Sequence, residues 1–128
     1  GIGECAGVVI DLIATLFLES EEKIENAKEA FENGVYSGAI YYAYQSLVNS
    51  AKALLLAENK KTNTHASIIS QFDDLFITSK KIDLGISFSE LIYQINKFAP
   101  SKEFAEIYIE NSNKFLQKVR AYRTAEIT

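Results

Sequence analysis

Apolar residues recur every three or four positions along most of this chain, with polar residues between them. That spacing predicts amphipathic helices. From Val8 to Asn33 the register is kept by Val9, Leu12, Ile13, Leu16, Phe17, Ile24, Ala27 and Phe31, weakening around Ser20–Lys23. Gly34 is placed to end this helix in a left-handed cap. The stretch from Ser37 to Lys61 predicts a helix of about six turns, with Ser37 able to cap it. Ile40, Tyr44, Leu47, Ala51, Leu54 and Leu55 fall within one apolar arc of roughly 100°. Tyr41, Gln45, Asn49 and Lys52 share a different, polar arc.

The polar run Asn59–Thr64 reads as a loop, with Thr64 or Asn63 capping a third helix that buries Ile68, Ile69, Phe72, Leu75 and Phe76. Ser79–Gly85 is a second loop. Ser87-Phe88-Ser89-Glu90 is a capping-box pattern opening a short fourth helix, with Leu91, Ile92, Ile95 and Phe98 inward. Pro100 ends that helix by Ala99, and Ser101 caps a fifth that carries Phe104, Tyr108, Phe115, Val119 and Tyr122 on its core side. No stretch alternates with period two for long enough to make a strand. The pattern predicts an all-α, five-helix antiparallel up-and-down bundle over residues 8–128. Residues 1–7, GIGECAG, have no periodicity and read as a linker or the tail of a preceding domain.

Composition narrows the class. The 128 residues suit one domain, and 48% apolar content permits a real core. A net charge of −4 argues against a duplex nucleic-acid binder, which needs a basic face for phosphate contacts. Acidic residues crowd the first third, from Glu19 to Glu32, and read as a solvated helix face. The single cysteine, Cys5, excludes a disulfide within the chain and a Cys-based zinc site, and it fits a reducing, cytoplasmic setting. Cys5 has no paired base to make it a nucleophile. No apolar run approaches the ~20 residues of a membrane span. The opening has neither a basic n-region nor an initiator methionine, so a processed chain or a piece of a longer protein is expected.

Candidate chemistry is sparse. There is no P-loop, no GxGxxG and no HExxH. Asp73 and Asp74 are adjacent, do not face each other on a helix, and read as a solvated edge rather than a metal site. His65, the only histidine, falls at a helix N-terminus, where the helix dipole favours neutral imidazole. It is either a loop anchor or a hydrogen-bonding base. Tyr36, Tyr41, Tyr42 and Tyr44 are core packing or one wall of a pocket, with a ring available to stack. Lys52 is then placed to meet a phosphate as a point charge.

Three short runs carry a family resemblance: Ala39-Ile40-Tyr41-Tyr42-Ala43-Tyr44, then Ser50-Ala51-Lys52-Ala53-Leu54-Leu55, then Thr64-His65. Together they resemble the HEPN domain (higher eukaryotes and prokaryotes nucleotide-binding) over roughly Leu18 to Tyr122. The resemblance implies an all-α bundle, often dimeric and often attached to a larger enzyme such as a nucleotidyltransferase. The opening Gly3–Gly7 is also similar to the end of sirohaem-type nitrite and sulfite reductases. One cysteine cannot ligate a four-iron cluster, so no reductase chemistry resides here. Some HEPN members are ribonucleases built on an arginine, four to six residues, then a histidine. Here the only arginines are Arg120 and Arg123, and His65 precedes both. An Ala-Asp-Tyr-like segment preceded by arginine is another family feature. Ala105-Glu106-Ile107-Tyr108 resembles that segment, but Lys102 and Glu103 stand where arginine is expected.

The expectation is therefore a non-catalytic accessory module that associates with itself or a partner. A nucleotide-like anion is the expected small ligand, with no cofactor or metal. Tyr41 would stack, Lys52 would pair with phosphate, and Gln45 and His65 would hydrogen-bond. The rival is a degenerate nuclease or nucleotide-handling enzyme with His65 as its base.

Overall fold

Two left-handed residues decide where the long helices stop. The computed structural model describes residues 2–127, with side chains from residue 7 onward. Helix α1 (Ile2–Glu32) ends at Gly34, whose φ of 75° lets Val35 N donate back to Ala30 O at 2.8 Å. Helix α2 (Tyr36–Ala57) ends the same way at Asn59, with φ of 62° and Lys60 N donating to Leu55 O at 2.9 Å. Asparagine tolerates this conformation better than other residues with a Cβ. The polar loop drawn from the sequence contains it without marking the turn.

The remaining elements are shorter. Helix α3 (His65–Phe72) runs on into a π-helical turn, Asp73–Ile77, closed by Thr78 N donating to Asp73 O at 2.8 Å. Helix α4 (Phe88–Tyr93) passes into a 3-10 turn, Gln94–Asn96, and helix α5 (Lys102–Ile127) completes the chain. Thr64, Ser87 and Ser101 accept from the backbone N–H of Ser67, Glu90 and Phe104 at 3.0–3.1 Å, as their spacing predicts. Ser37 does not cap α2. The turn at Gly34 delivers the chain into helix immediately, so the cap position falls on Val35, which has no side-chain acceptor. Helix α1 begins at Ile2 rather than near Val8, because an established helix extends at little cost where no proline or cap stops it. The Cys5 side chain lies outside the described residues.

The structure is the expected all-α bundle of five helices. Helix α2 is its centre, packing against α1, α5 and α3. The apolar arc read from the sequence is buried, with Tyr44 only half so. Ala39, Ala43, Ser46, Ser50 and Ala53 are buried as well, on one flank beside that arc. Small residues carry little hydropathy signal, so the pattern understates how much of α2 is enclosed. They also let helices approach closely, and Ser46 Oγ donates to Ser20 O of α1 across the contact at 2.9 Å. Beneath α3 and α4 the core is aromatic. Phe72 sits 5.0 Å from Phe76, 4.8 Å from Phe88 and 5.2 Å from Phe115, ring centroid to centroid. Arg120 of α5 pairs with Glu21 of α1 and lies over the Phe17 ring at 5.4 Å. Two residues expected inward are not. Leu12 is 49% exposed, and Phe98, beyond the 3-10 turn, is 55% exposed and stacks on Phe104.

Asp73 also departs from the solvated-edge reading. It is half-buried, and its carboxylate accepts from Phe88 N at 2.7 Å, Ser89 N at 3.0 Å and Ser89 Oγ at 2.5 Å. It therefore caps α4 from a neighbouring element, favoured by that helix's positive end. Asp74 is exposed. Asp73→Ala is expected to cost about 2 kcal/mol in urea unfolding, whereas Asp74→Ala stays within about 0.5 kcal/mol of wild type.

At one end of the bundle Tyr122 donates to Glu126 at 3.2 Å, and the Glu58 carboxyl lies beside that carboxylate. Burial first, then Glu126, raises the Glu58 pKa, against the opposing pull of Lys81 and Arg123. An acid whose folded pKa is raised contributes stability at low pH and loses it as pH rises through the folded value. Glu58→Gln is therefore expected to be more stable than wild type at neutral pH. The gap should close as pH falls through the carboxylate range, as read by thermal melts at several pH values.

Candidate functional site

The Thr64 cap fixes the start of α3 and sets His65 against α2. The Tyr44 hydroxyl and His65 Nδ1 are 2.9 Å apart, and the two rings are 5.7 Å apart at 51°. Tyr41, one turn earlier on α2, stacks on Tyr44 at 6.5 Å and 14° and is 56% exposed. Burial raises the Tyr44 pKa, and the nearby phenols of Tyr93 and Tyr41 raise it further. Tyr93 of α4, 41% exposed, lies within electrostatic range of that phenol. Tyr41, Tyr44 and His65 form one aromatic patch around one imidazole. Sequence reasoning missed Tyr93, which falls between Ile92 and Ile95 and breaks no pattern.

The other two predicted residues stand apart from that imidazole. Gln45 is half-buried, and its Oε1 is buried without a hydrogen-bond partner. Lys52 lies eight residues beyond Tyr44, about 12 Å along the axis. It lines a separate cavity of about 340 Å³ between α1, α2 and residues 60–63. The remaining tyrosines have structural contacts. Tyr36 meets Phe31 edge-on at 5.5 Å, and the Tyr42 ring lies under the Lys23 ammonium at 5.5 Å. Tyr108, in the Ala-Asp-Tyr-like segment, is fully buried and donates to Ile92 O at 2.9 Å, and burial pushes its pKa far up. It ties α5 to α4.

Chemically, the patch offers a hydrogen-bonded phenol–imidazole pair and exposed rings. A nuclease of the arginine–histidine type also needs a guanidinium beside the imidazole. Arg120 is paired with Glu21, and Arg123 lies in the field of Glu58. Among the described residues no group of three or more His, Cys, Asp or Glu gathers as metal ligands, and no helix is long and apolar enough to cross a membrane.

An all-helical bundle with an imidazole set between its second and third helices is the class these elements define. The HEPN domain matches this chain over residues 13–122, and the chain belongs to the HEPN family. A candidate toxin of Methanocaldococcus jannaschii is similar to it, with 31% identity over 117 residues, covering 84% of this chain and 86% of that protein. A UPF0332 protein of Archaeoglobus fulgidus is 28% identical over 113 residues, covering 80% of this chain and 87% of the relative.

Tyr44→Phe removes only the hydroxyl that meets His65. Because the pair is partly solvated, the expected loss is about 0.5–1 kcal/mol in urea unfolding. In the wild type, an NMR titration of the tyrosine rings should find Tyr44 ionising above the ordinary phenol value of about 10.

Proposed function

We propose that this HEPN module works by association rather than cleavage, through the patch of Tyr41, Tyr44 and His65 and the nearby Tyr93. The observation that carries this reading is the exposure of two large aromatics, Tyr41 at 56% and Tyr93 at 41%, both within electrostatic range of Tyr44. Tyrosine gives large contact area at low entropic cost, with a hydroxyl for the wet rim of an interface. A second copy of this chain is the first expected partner. An adjoining enzyme domain in a longer cytoplasmic protein is the other arrangement consistent with an accessory role. A nucleotide-like anion fits less well as the ligand of one joint site. Tyr41 and Lys52 are about 16 Å apart along α2, and Lys52 lines a cavity that neither Tyr41 nor His65 lines.

A second reading has its own support. The Tyr44–His65 pair holds an imidazole at the surface, and one relative is a candidate toxin. In that reading His65 is a base acting on RNA or a nucleotide. Sedimentation at several concentrations is expected to show a reversible dimer, with Tyr41→Glu and Tyr93→Glu each weakening it on the order of ten-fold or more. A wild-type monomer at every concentration overturns self-association. His65→Ala should leave any background RNA turnover unchanged. A loss of about 10²-fold or more would install the enzyme instead.

A further inference from the structure

The Lys52 cavity is independent of the aromatic patch, and its lining has a chemistry of its own. Leu12 and Leu16 of α1 face Leu56 of α2 across it, and Lys52, Lys60 and Lys61 are the cations of its wall. Glu19 is the one carboxylate there, leaving a formal excess of two positive charges in a chain whose net charge is −4. Among the described residues none of these three lysines is in an ion pair. Lys28 and Lys114, by contrast, pair with Glu25 and Glu110, and Lys118 donates to Asp83 O. Concentrating unpaired like charge has an electrostatic cost unless an anion offsets it.

The backbone fixes this arrangement. The left-handed Asn59 reverses the chain, and Lys60 N is held on Leu55 O, so residues 60–63 return beside Lys52 and Leu56. Thr62 in the same wall is only 5% exposed, and its hydroxyl has no hydrogen-bond partner. That hydroxyl is closed to solvent, so the groups the cavity offers a ligand are its lysines and leucines. No aromatic ring lines the cavity, so nothing there stacks on a base. Its volume of about 340 Å³ lies at the small end of the range for small-molecule sites.

We propose that this cavity binds a small phosphate monoester with a short aliphatic body. The phosphate lies among Lys52, Lys60 and Lys61, and the alkyl part lies on Leu12, Leu16 and Leu56. This goes beyond the association reading and uses none of its residues, so the two fail separately.

The test is calorimetry and two-dimensional NMR on the full chain with hexyl phosphate, inorganic phosphate, AMP and hexanol as probes. Hexyl phosphate is expected to bind roughly ten-fold or more tightly than inorganic phosphate, since each buried methylene contributes up to about four-fold. Hexanol should show no binding. Shifts should fall on residues 12–19 and 52–63. The double variant Lys52→Ala/Lys60→Ala should lose about ten-fold or more in affinity with its helical circular dichroism unchanged. Thr62→Val should fold at least as stably as wild type and bind the phosphate equally well, because its hydroxyl is closed to solvent. AMP binding as tightly as hexyl phosphate, shifts centred on Tyr41 and His65, or lysine variants that bind like wild type would each overturn the proposal.

Discussion

Close approach at the small residues of α2 is the constraint on which the other helices depend. Ala39, Ala43, Ser46, Ser50 and Ala53 leave no side chain tall enough to hold α1 away. Ser46 then reaches the α1 backbone, and its neighbour Ser50 returns its hydroxyl to Ser46 O at 2.7 Å. These hydroxyls are dry but satisfied, the condition under which polar groups are tolerated in a core. A larger residue at Ala43 or Ala53 would have to displace a whole helix, since packed interiors do not yield locally. The aromatic layer of Phe72, Phe76, Phe88 and Phe115 sits outside this contact and closes the bundle under its two short helices.

The chain order of helices and three of the caps were readable from spacing, because Thr64, Ser87 and Ser101 each stand just ahead of an apolar period. The central burial of α2 was not, because alanine and serine look alike on a buried and an exposed face. Asp73 was misread for a related reason. Its partners, Phe88 and Ser89, are 15 and 16 residues away, and no local pattern encodes a cap supplied across a loop. The turn at Asn59 was missed because asparagine signals a left-handed residue more weakly than glycine does.

The candidate residues divide along the same line. Tyr41, Gln45 and Lys52 do share a helix face, as their spacing requires. But a face more than two turns long passes different neighbours at its two ends. At the first end α3 supplies His65, and at the other α1 and residues 60–63 supply leucines and lysines. Family membership gives the frame for both sites and decides neither. The arginine–histidine spacing of the family's nucleases is absent, Arg120 is paired with Glu21 of α1, and Arg123 lies in the field of Glu58.

The π-helical turn after α3 has a further consequence. A π turn bonds each N–H five residues back rather than four, so its backbone is wider than the helix before it. Its first residue, Asp73, is the one whose carboxylate meets α4, and its closing bond, Thr78 N to Asp73 O, holds that residue's backbone in place. The cap of α4 therefore stands at the seam between a regular turn and a wide one. A lineage that lost one residue from 74 to 77 would keep its helices and its composition. It would lose the closing bond, and the start of α4 would loosen although no residue of α4 had changed.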